Sequence, residues 1–234
     1  MPTLELIELY PSPYSDRVRW VLDAKGLAYA RTEYVPVAGE QQHRERTGIA
    51  TAPVLVHDGE VIGDSNEAVD WLESRHPSPP LVPSDPRRRA QVRAWELLAT
   101  EVLAPAGRLV MIGRMKAMGL QPFADHLGAK YHWTELEEAR ADRLLRTALP
   151  ELASAVTTSA HLVGDAFTRA DLTVAALLTP VLGLPPDDLF AIDAGLRPMF
   201  GIPLGDDAAL APLRTWRDAT YRRHRGRRVV QADA

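Results

Sequence analysis

Five prolines fall within the ten residues Pro77-Ser78-Pro79-Pro80-Leu81-Val82-Pro83-Ser84-Asp85-Pro86. Each proline fixes φ and removes a backbone donor, so no regular helix or interior strand runs through such a stretch. It reads as a stiff, extended connector. A chain of 234 residues is long enough to bury two cores, and this is where it divides.

The two sides differ in pattern. Before the prolines, Leu4, Leu6, Ile7 and Leu9 form a short apolar run that suits a buried strand. Ser12 then stands where a helix N-cap belongs, with Pro13 at the first helical position, and Lys25-Gly26 reads as the last turn and left-handed stop. A second strand is expected from Tyr29 to Val35. Residues 38–51 are polar and irregular, with room for a short helix. Asp58-Gly59 between two apolar runs predicts a hairpin, and Asp64-Ser65 opens a helix with Ala68, Val69 and Leu72 as its apolar stripe. Beyond the prolines the signals are helical: residues 87–117 with a break at Pro105, 135–159 disturbed by Pro150, 168–179, and 208–225. Residues 183–206 read as loop. The expected organisation is an α/β domain at residues 1–78, a linker at 79–86 and an all-helical domain at 87–234.

Three motifs in the first part carry a resemblance. They are Leu9-Tyr10-Pro11-Ser12-Pro13-Tyr14-Ser15-Asp16-Arg17-Val18-Arg19, then Thr51-Ala52-Pro53-Val54-Leu55, then Ile62-Gly63-Asp64-Ser65. A fourth, Phe167-Thr168-Arg169-Ala170-Asp171, lies among the helices. In this order and spacing the chain resembles the cytosolic glutathione S-transferase family, in its serine-type, bacterial-like form. The resemblance implies the glutathione transferase fold: a thioredoxin-like α/β N-terminal domain followed by an all-α C-terminal domain. It also implies a homodimer in the cytoplasm, active in detoxification, with glutathione as cosubstrate and a hydrophobic electrophile as second substrate.

The chain has no cysteine, which excludes disulfides, thiolate metal sites and cysteine nucleophiles of its own. Any sulfur chemistry takes its thiol from outside. A strand-to-helix turn offers unpaired N–H groups and the positive end of the helix dipole, so an anion is favoured there. A thiol bound at that spot has its pKa lowered, and a hydroxyl there can donate to the thiolate. The resemblance places the catalytic group at Ser12; Ser15 and Tyr10 are the alternatives.

The resemblance assigns the binding residues too. The residue before the family's cis proline pairs its main chain with glutathione, which falls here on Ala52, with Pro53 after it. The sequence leaves the isomer open. Asp64 and Ser65 match the acidic-Ser pair that takes the γ-glutamyl ammonium and carboxylate; by themselves they also read as a helix cap, with Glu67 three residues on. His43, Arg44 and Arg46 are candidates for the glycyl carboxylate. The lead-in Thr47-Gly48-Ile49-Ala50 departs from the family's Asn-Pro-x-Gly.

Other readings are weaker. Gly63-Asp64-Ser65-Asn66 mimics one esterase nucleophile block, but no Asp-x-x-His follows near the C-terminus and no Gly-x-Ser-x-Gly elbow exists. Seven histidines show no metal-ligand spacing, so no metal is expected. The apolar substrate is expected between the domains, with Met111, Met115, Phe123, Tyr131 and Trp133 as candidates that serve equally as core. Thr168 and Asp171 read as a capping box, with Phe167 stapling to Leu172. A net charge of −4 points to no nucleic acid partner, and the basic run ending in Arg222-Arg223-His224-Arg225-Gly226-Arg227-Arg228 reads as a solvated helix end. The N-terminus has neither a basic region nor a long apolar core, so no secretory signal or membrane association is expected. The rival function is a binding or scaffold protein on the same fold, or a glutathione-dependent isomerase or dehalogenase.

Overall fold

The computed structural model describes residues 4–185, 194–201 and 208–225. The chain divides into two compact units. One runs up to Pro83 and takes in the segment beginning at Arg223; the other is Ser84–Arg222.

In the first unit β1 (Leu4–Glu8), α1 (Pro13–Ala24) and β2 (Ala30–Glu33) form a parallel crossover unit. After α2 (Glu40–Thr47), β3 (Val54–His57) and β4 (Glu60–Ile62) complete a sheet of order β2-β1-β3-β4. β3 is antiparallel to both neighbours, with Ile7 opposite Val54 and Leu55 opposite Ile62. The expected hairpin turn is present: Asp58 and Gly59 both have positive φ, 48° and 87°, as a two-residue primed turn requires. β2 is shorter than the sequence pattern suggested.

α3 (Ser65–Arg75) packs on α1 through Ala68, Val69 and Leu72, against the buried Val18, Val21 and Leu22. Burying three large aliphatic side chains of this kind contributes about 1.5–3 kcal/mol each. Gly26 stops α1 at φ 63°, and Lys25 just before it reaches outward. Its Nζ donates to the carbonyls of His76 (2.7 Å) and Pro79 (3.1 Å) and pairs with Glu73 at 2.8 Å. Glu73 in turn accepts from the amides of Leu81 and Val82. The segment expected to be a linker at 79–86 is thus tied to the first unit as far as Val82.

The second unit begins with α4 (Pro86–Leu97), capped by Asp85 on the amide of Arg88 at 2.8 Å. A π-helical segment, Leu98–Leu103, joins it to α5 (Ala104–Ala117). Pro105 has no N–H to continue the α ladder, so the expected break takes the form of a wide turn just ahead of it. α6 (Phe123–Lys130), α7 (Glu135–Ala155), α8 (Arg169–Leu177), α9 (Thr179–Leu182) and α10 (Ala211–His224) follow. Pro150 lies inside α7 without ending it. α6 was not legible in the sequence. Most of the expected 183–206 loop lies outside the described residues.

Two polar devices order the helical core. Glu96 of α4 is fully buried and takes both the Nε and Nη2 of Arg169 at 2.8 Å, a bidentate fork. Asp171, two residues on from Arg169, is fully buried. It accepts from the Thr168 amide (2.8 Å), the Thr168 hydroxyl (3.1 Å) and the Leu162 amide (2.7 Å). No described helix is long and apolar enough to cross a membrane.

Candidate functional site

The sheet register gathers three separate segments at one edge. β1 ends where β3 begins, because Ile7 faces Val54 in an antiparallel pair. The chain leaving β1 reaches Ser12 beside the chain entering β3, which is Ala52-Pro53. β4 runs back along β3 and ends at the same edge, so Gly63, Asp64 and Ser65 emerge there too. Ala52 and Leu9 pack on one small cluster of Ile7, Tyr34 and Val54. The three motifs that lie up to 53 residues apart in sequence therefore meet at the C-terminal end of β1.

Ser12 is the N-cap residue of α1, with φ −72° and ψ 127°. Its amide donates to the Leu9 carbonyl at 2.9 Å, closing the turn, and its carbonyl accepts from Asp16 at 2.9 Å, starting the helix. Its hydroxyl accepts no hydrogen bond from the helix. Ser12 therefore holds the N-cap position through its backbone alone, and its side chain does not cap the helix. Ser15 is fully buried and its hydroxyl makes no hydrogen bond, while the Tyr10 ring lies under Arg19 and Arg31 at 5.0 and 5.1 Å.

The Ala52–Pro53 bond is cis. The segment leading to it departs from the family pattern yet is well held. His43 Nε2 bonds the Thr51 carbonyl at 3.0 Å, and its ring meets Tyr34 edge-on at 4.9 Å. The Tyr34 hydroxyl donates to the Ala50 carbonyl at 3.3 Å, and the Thr47 hydroxyl accepts from the Ile49 amide at 3.2 Å. Gly63 sits so close to the Ile49 side chain that a Cβ there would collide with it. This assigns His43 to the loop rather than to a ligand. Arg46 pairs with Glu5 at 2.5 Å, and Arg44 is exposed beside Glu40.

Asp64 caps α3 by accepting from the amides of Asn66 (2.7 Å) and Glu67 (3.3 Å). Both bonds go to Oδ1, so Oδ2 faces away from the cap's work. Next to it, Arg17 of α1 is fully buried and donates to Asn66 Oδ1 at 2.7 Å and to the Ser65 hydroxyl at 3.4 Å. A carboxylate, a hydroxyl, a helix N-terminus and a fixed guanidinium stand together at the start of α3. That set suits a zwitterionic α-amino acid.

Beneath α1 lies a charge network that sequence reasoning missed. Arg19 donates to Glu8 (2.5 Å) and Asp16 (3.0 Å), and Arg31 pairs with the other Glu8 oxygen. Arg225 donates to Asp16 (3.2 Å) and Asp23 (2.5 Å), and Asp23 also accepts from the Tyr29 hydroxyl at 3.0 Å. Trp20 Nε1 holds the His224 carbonyl at 3.0 Å. Burial alone lowers the Arg19 guanidinium, but Asp16 and Glu8 outweigh it and hold the pKa above the ordinary value. Burial pushes the Tyr29 phenol up, aided by Asp23. The basic C-terminal run is thus not wholly solvated: Arg225 is buried. Residues 226–228 of that run lie outside the described residues.

In the second unit the candidates for an apolar site are already engaged. Met115 is buried with Ala124, Met199 and Phe200, and Met111 and Phe123 pack on them. Tyr131 lies under Arg108 at 4.0 Å, and Trp133 donates to Glu138 at 3.1 Å. Burial, aided by Asp142 and Glu135, pushes the Glu138 carboxyl up against that bond. Among the described residues no group of three or more His, Asp or Glu is placed to hold a metal.

Residues 6–80 match the family model of the glutathione S-transferase N-terminal domain. A probable maleylacetoacetate isomerase of Caenorhabditis elegans is 32% identical over 109 residues, covering 46% of this chain and 51% of the relative. A probable glutathione S-transferase of Oryza sativa subsp. japonica, GSTU6, is 31% identical over 123 residues, covering 47% and 49%. The chain spans about half the length of the curated relatives it matches. Among solved structures, the theta class glutathione S-transferase of Xanthomonas axonopodis pv. citri with glutathione bound superposes with a TM-score of 0.70 at 20% identity, covering 99% of both chains. Residues 6–80 are thus a glutathione S-transferase N-terminal domain, and the chain shares its fold with the solved transferase.

Proposed function

We propose that the protein is a serine-type glutathione transferase. The observation that carries this is the Ser12 hydroxyl, held at the N-terminus of α1 by its own backbone bonds yet not spent on capping the helix. Glutathione lies along the sheet edge. Its γ-glutamyl ammonium meets Asp64 Oδ2, and its α-carboxylate meets the Ser65 hydroxyl and the N-terminus of α3, near Arg17. Ala52 pairs its backbone N–H and C=O with the peptide as an added strand, with Pro53 turning the chain into β3. The sulfur then reaches Ser12, whose hydroxyl donates to the thiolate while keeping its own proton.

The chemistry is nucleophilic attack by that thiolate. A sulfur–carbon bond forms, and a leaving group departs with its electron pair. The protein's gain is electrostatic, since Ser12 and the helix dipole act on the anionic sulfur far more than on the neutral thiol. A hydrogen bond to a charged group is worth about 1.5–3 kcal/mol, so Ser12→Ala should slow turnover about 10- to 150-fold on a chloronitroaromatic electrophile. Equal rates would remove Ser12 from the mechanism. Calorimetry with glutathione separates this reading from a non-catalytic binding or scaffold protein; the loop at residues 47–50, which departs from the family pattern, is held by His43, Tyr34 and Thr47.

A second reading rests on the isomerase among the relatives. The same thiolate adds to an activated carbon–carbon double bond, the resulting single bond turns, and the double bond re-forms as the thiolate leaves unchanged. Glutathione is then consumed by neither partner, and a coupled assay showing isomerisation without loss of free thiol identifies it. A dehalogenase variant differs only in its leaving group. The hydrophobic electrophile, the homodimer and the cytoplasmic location belong to the same proposal.

A further inference from the structure

We propose that Arg225, a residue of the C-terminal segment, is a positioning residue for the thiolate site: it neutralises Asp16 in the first turns of α1 and so keeps an uncompensated negative charge away from the sulfur. The inference rests on the transferase reading above and names a part of that site lying 213 positions after Ser12.

Asp16 follows Ser12 by four residues, on the same face of α1, about 6 Å along the axis. Its amide holds the Ser12 carbonyl at 2.9 Å. A carboxylate in that place opposes the helix dipole's work, because it repels the anion the N-terminus is meant to attract. Two guanidinium groups answer it: Arg19 at 3.0 Å and Arg225 at 3.2 Å, both on Oδ1. Arg17, the neighbour of Asp16 on α1, is turned to Ser65 and Asn66 of α3, and the network that includes this carboxylate draws on several further elements. β1 gives Glu8, α1 gives Arg19 and Asp23, the turn into β2 gives Tyr29, β2 gives Arg31, and the C-terminal segment gives Arg225. Within this network Arg225 is the guanidinium that pairs with both Asp16 and Asp23.

Arg19 is shared with Glu8, and the ion pair of Arg31 is with Glu8 rather than Asp16. Arg225 is also anchored for the task. Its guanidinium forks between Asp16 and Asp23 and stacks over Trp20 at 5.6 Å, while Trp20 grips the His224 carbonyl next door. A single backbone-and-side-chain clasp thus fixes one cation beneath the helix that carries Ser12.

Removing the cation makes the network one charge more negative, at a separation of about 8 Å from a sulfur bound at Ser12 if the axial offset of about 6 Å is combined with a similar lateral one. At an effective dielectric near 20 this amounts to about 1.5 pK units, and to about one after partial screening. The test is the pH titration of thiolate absorbance for glutathione bound to the full-length protein. We compare wild type, Arg225→Met, Arg225→Lys and the doubly changed Asp16→Asn/Arg225→Met. The expected result is a bound-thiol pKa raised by about one unit in Arg225→Met, mostly restored in Arg225→Lys and in the neutral double variant. Rescue by deleting the opposing charge is something a purely structural role would not give, and melting midpoints of the same variants show that each is folded. An unchanged thiol pKa in Arg225→Met, or no rescue in the double variant, overturns the proposal while leaving the transferase reading intact. Failure of wild type to bind or ionise glutathione overturns both.

Discussion

Asp64 is given two jobs at once, and they can be separated. As N-cap of α3 it accepts from two backbone amides through Oδ1; as a binding residue it offers a charge at Oδ2. Asp64→Asn keeps a good capping oxygen and removes the charge. Asn and Asp cap about equally well, and the lost charge–dipole interaction at an exposed site is about 0.3–1 kcal/mol, so stability should fall by at most that. Glutathione affinity should fall much more. A charge-assisted bond to an ammonium is worth about 1.5–3 kcal/mol, and at this exposed position the lower end applies, giving about a tenfold rise in Kd. Asp64→Ala loses the cap as well, at about 1 kcal/mol, or a drop of about 2–4 °C in Tm for a chain of this size. Calorimetry of glutathione binding and thermal melts of the three proteins are the assays. If Asp64→Asn binds glutathione as tightly as wild type, Asp64 is a cap alone and the binding assignment at this edge is wrong.

The buried Asp171 makes a second, purely structural test. Asp171→Ala strands the Thr168 and Leu162 amides, each at about 1–3 kcal/mol, whereas Thr168→Ala removes one donor to Asp171 and the capping oxygen of α8, at about 0.5–2 kcal/mol. Denaturant unfolding should therefore rank Asp171→Ala well below Thr168→Ala, and equal losses would show that the three bonds to Asp171 are not what orders α8. Arg17→Met removes a buried cation that bonds both Asn66 and Ser65. Its KM for glutathione should rise about tenfold or more while the KM for the electrophile stays within twofold, and parallel changes in both would point to general disorder instead.

Much of the first unit is written in local signals. The strand-turn-helix around Pro13, the hairpin at Asp58-Gly59 and the cap at Asp64 each follow from one or two residues whose backbone preferences are strong. Register then does the rest, because the antiparallel pairing of β1 with β3 and β4 leaves little choice about which ends meet. What stayed illegible depends on partners distant in sequence. An arginine in a sequence reads as surface charge, so Arg17, Arg19 and Arg225 gave no sign of being buried; only Glu8, Asp16 and Asp23 placed around them make burial tolerable. Ser12 looked like a cap because serine in that position usually is one. That its hydroxyl stays off the helix is a rotamer outcome no pattern contains. His43 is the converse case: a polar residue in a polar segment, drawn inward by Tyr34 and the Thr51 carbonyl.

The central claim is that Ser12 and the first turn of α1 make an external thiol acidic. The direct measurement is the thiolate absorbance of bound glutathione as a function of pH, in wild type and Ser12→Ala at saturating ligand. A free thiol titrates near 8.5, and a helix N-terminus with a donated hydrogen bond should bring the bound one down by about 1–2 units. The sign is fixed by the charge: stabilising the anion lowers the pKa, so wild type should carry more thiolate at neutral pH than Ser12→Ala, which keeps only the helix N-terminus. A bound thiol that titrates at the same pH in both proteins, or no lower than free glutathione, contradicts the account.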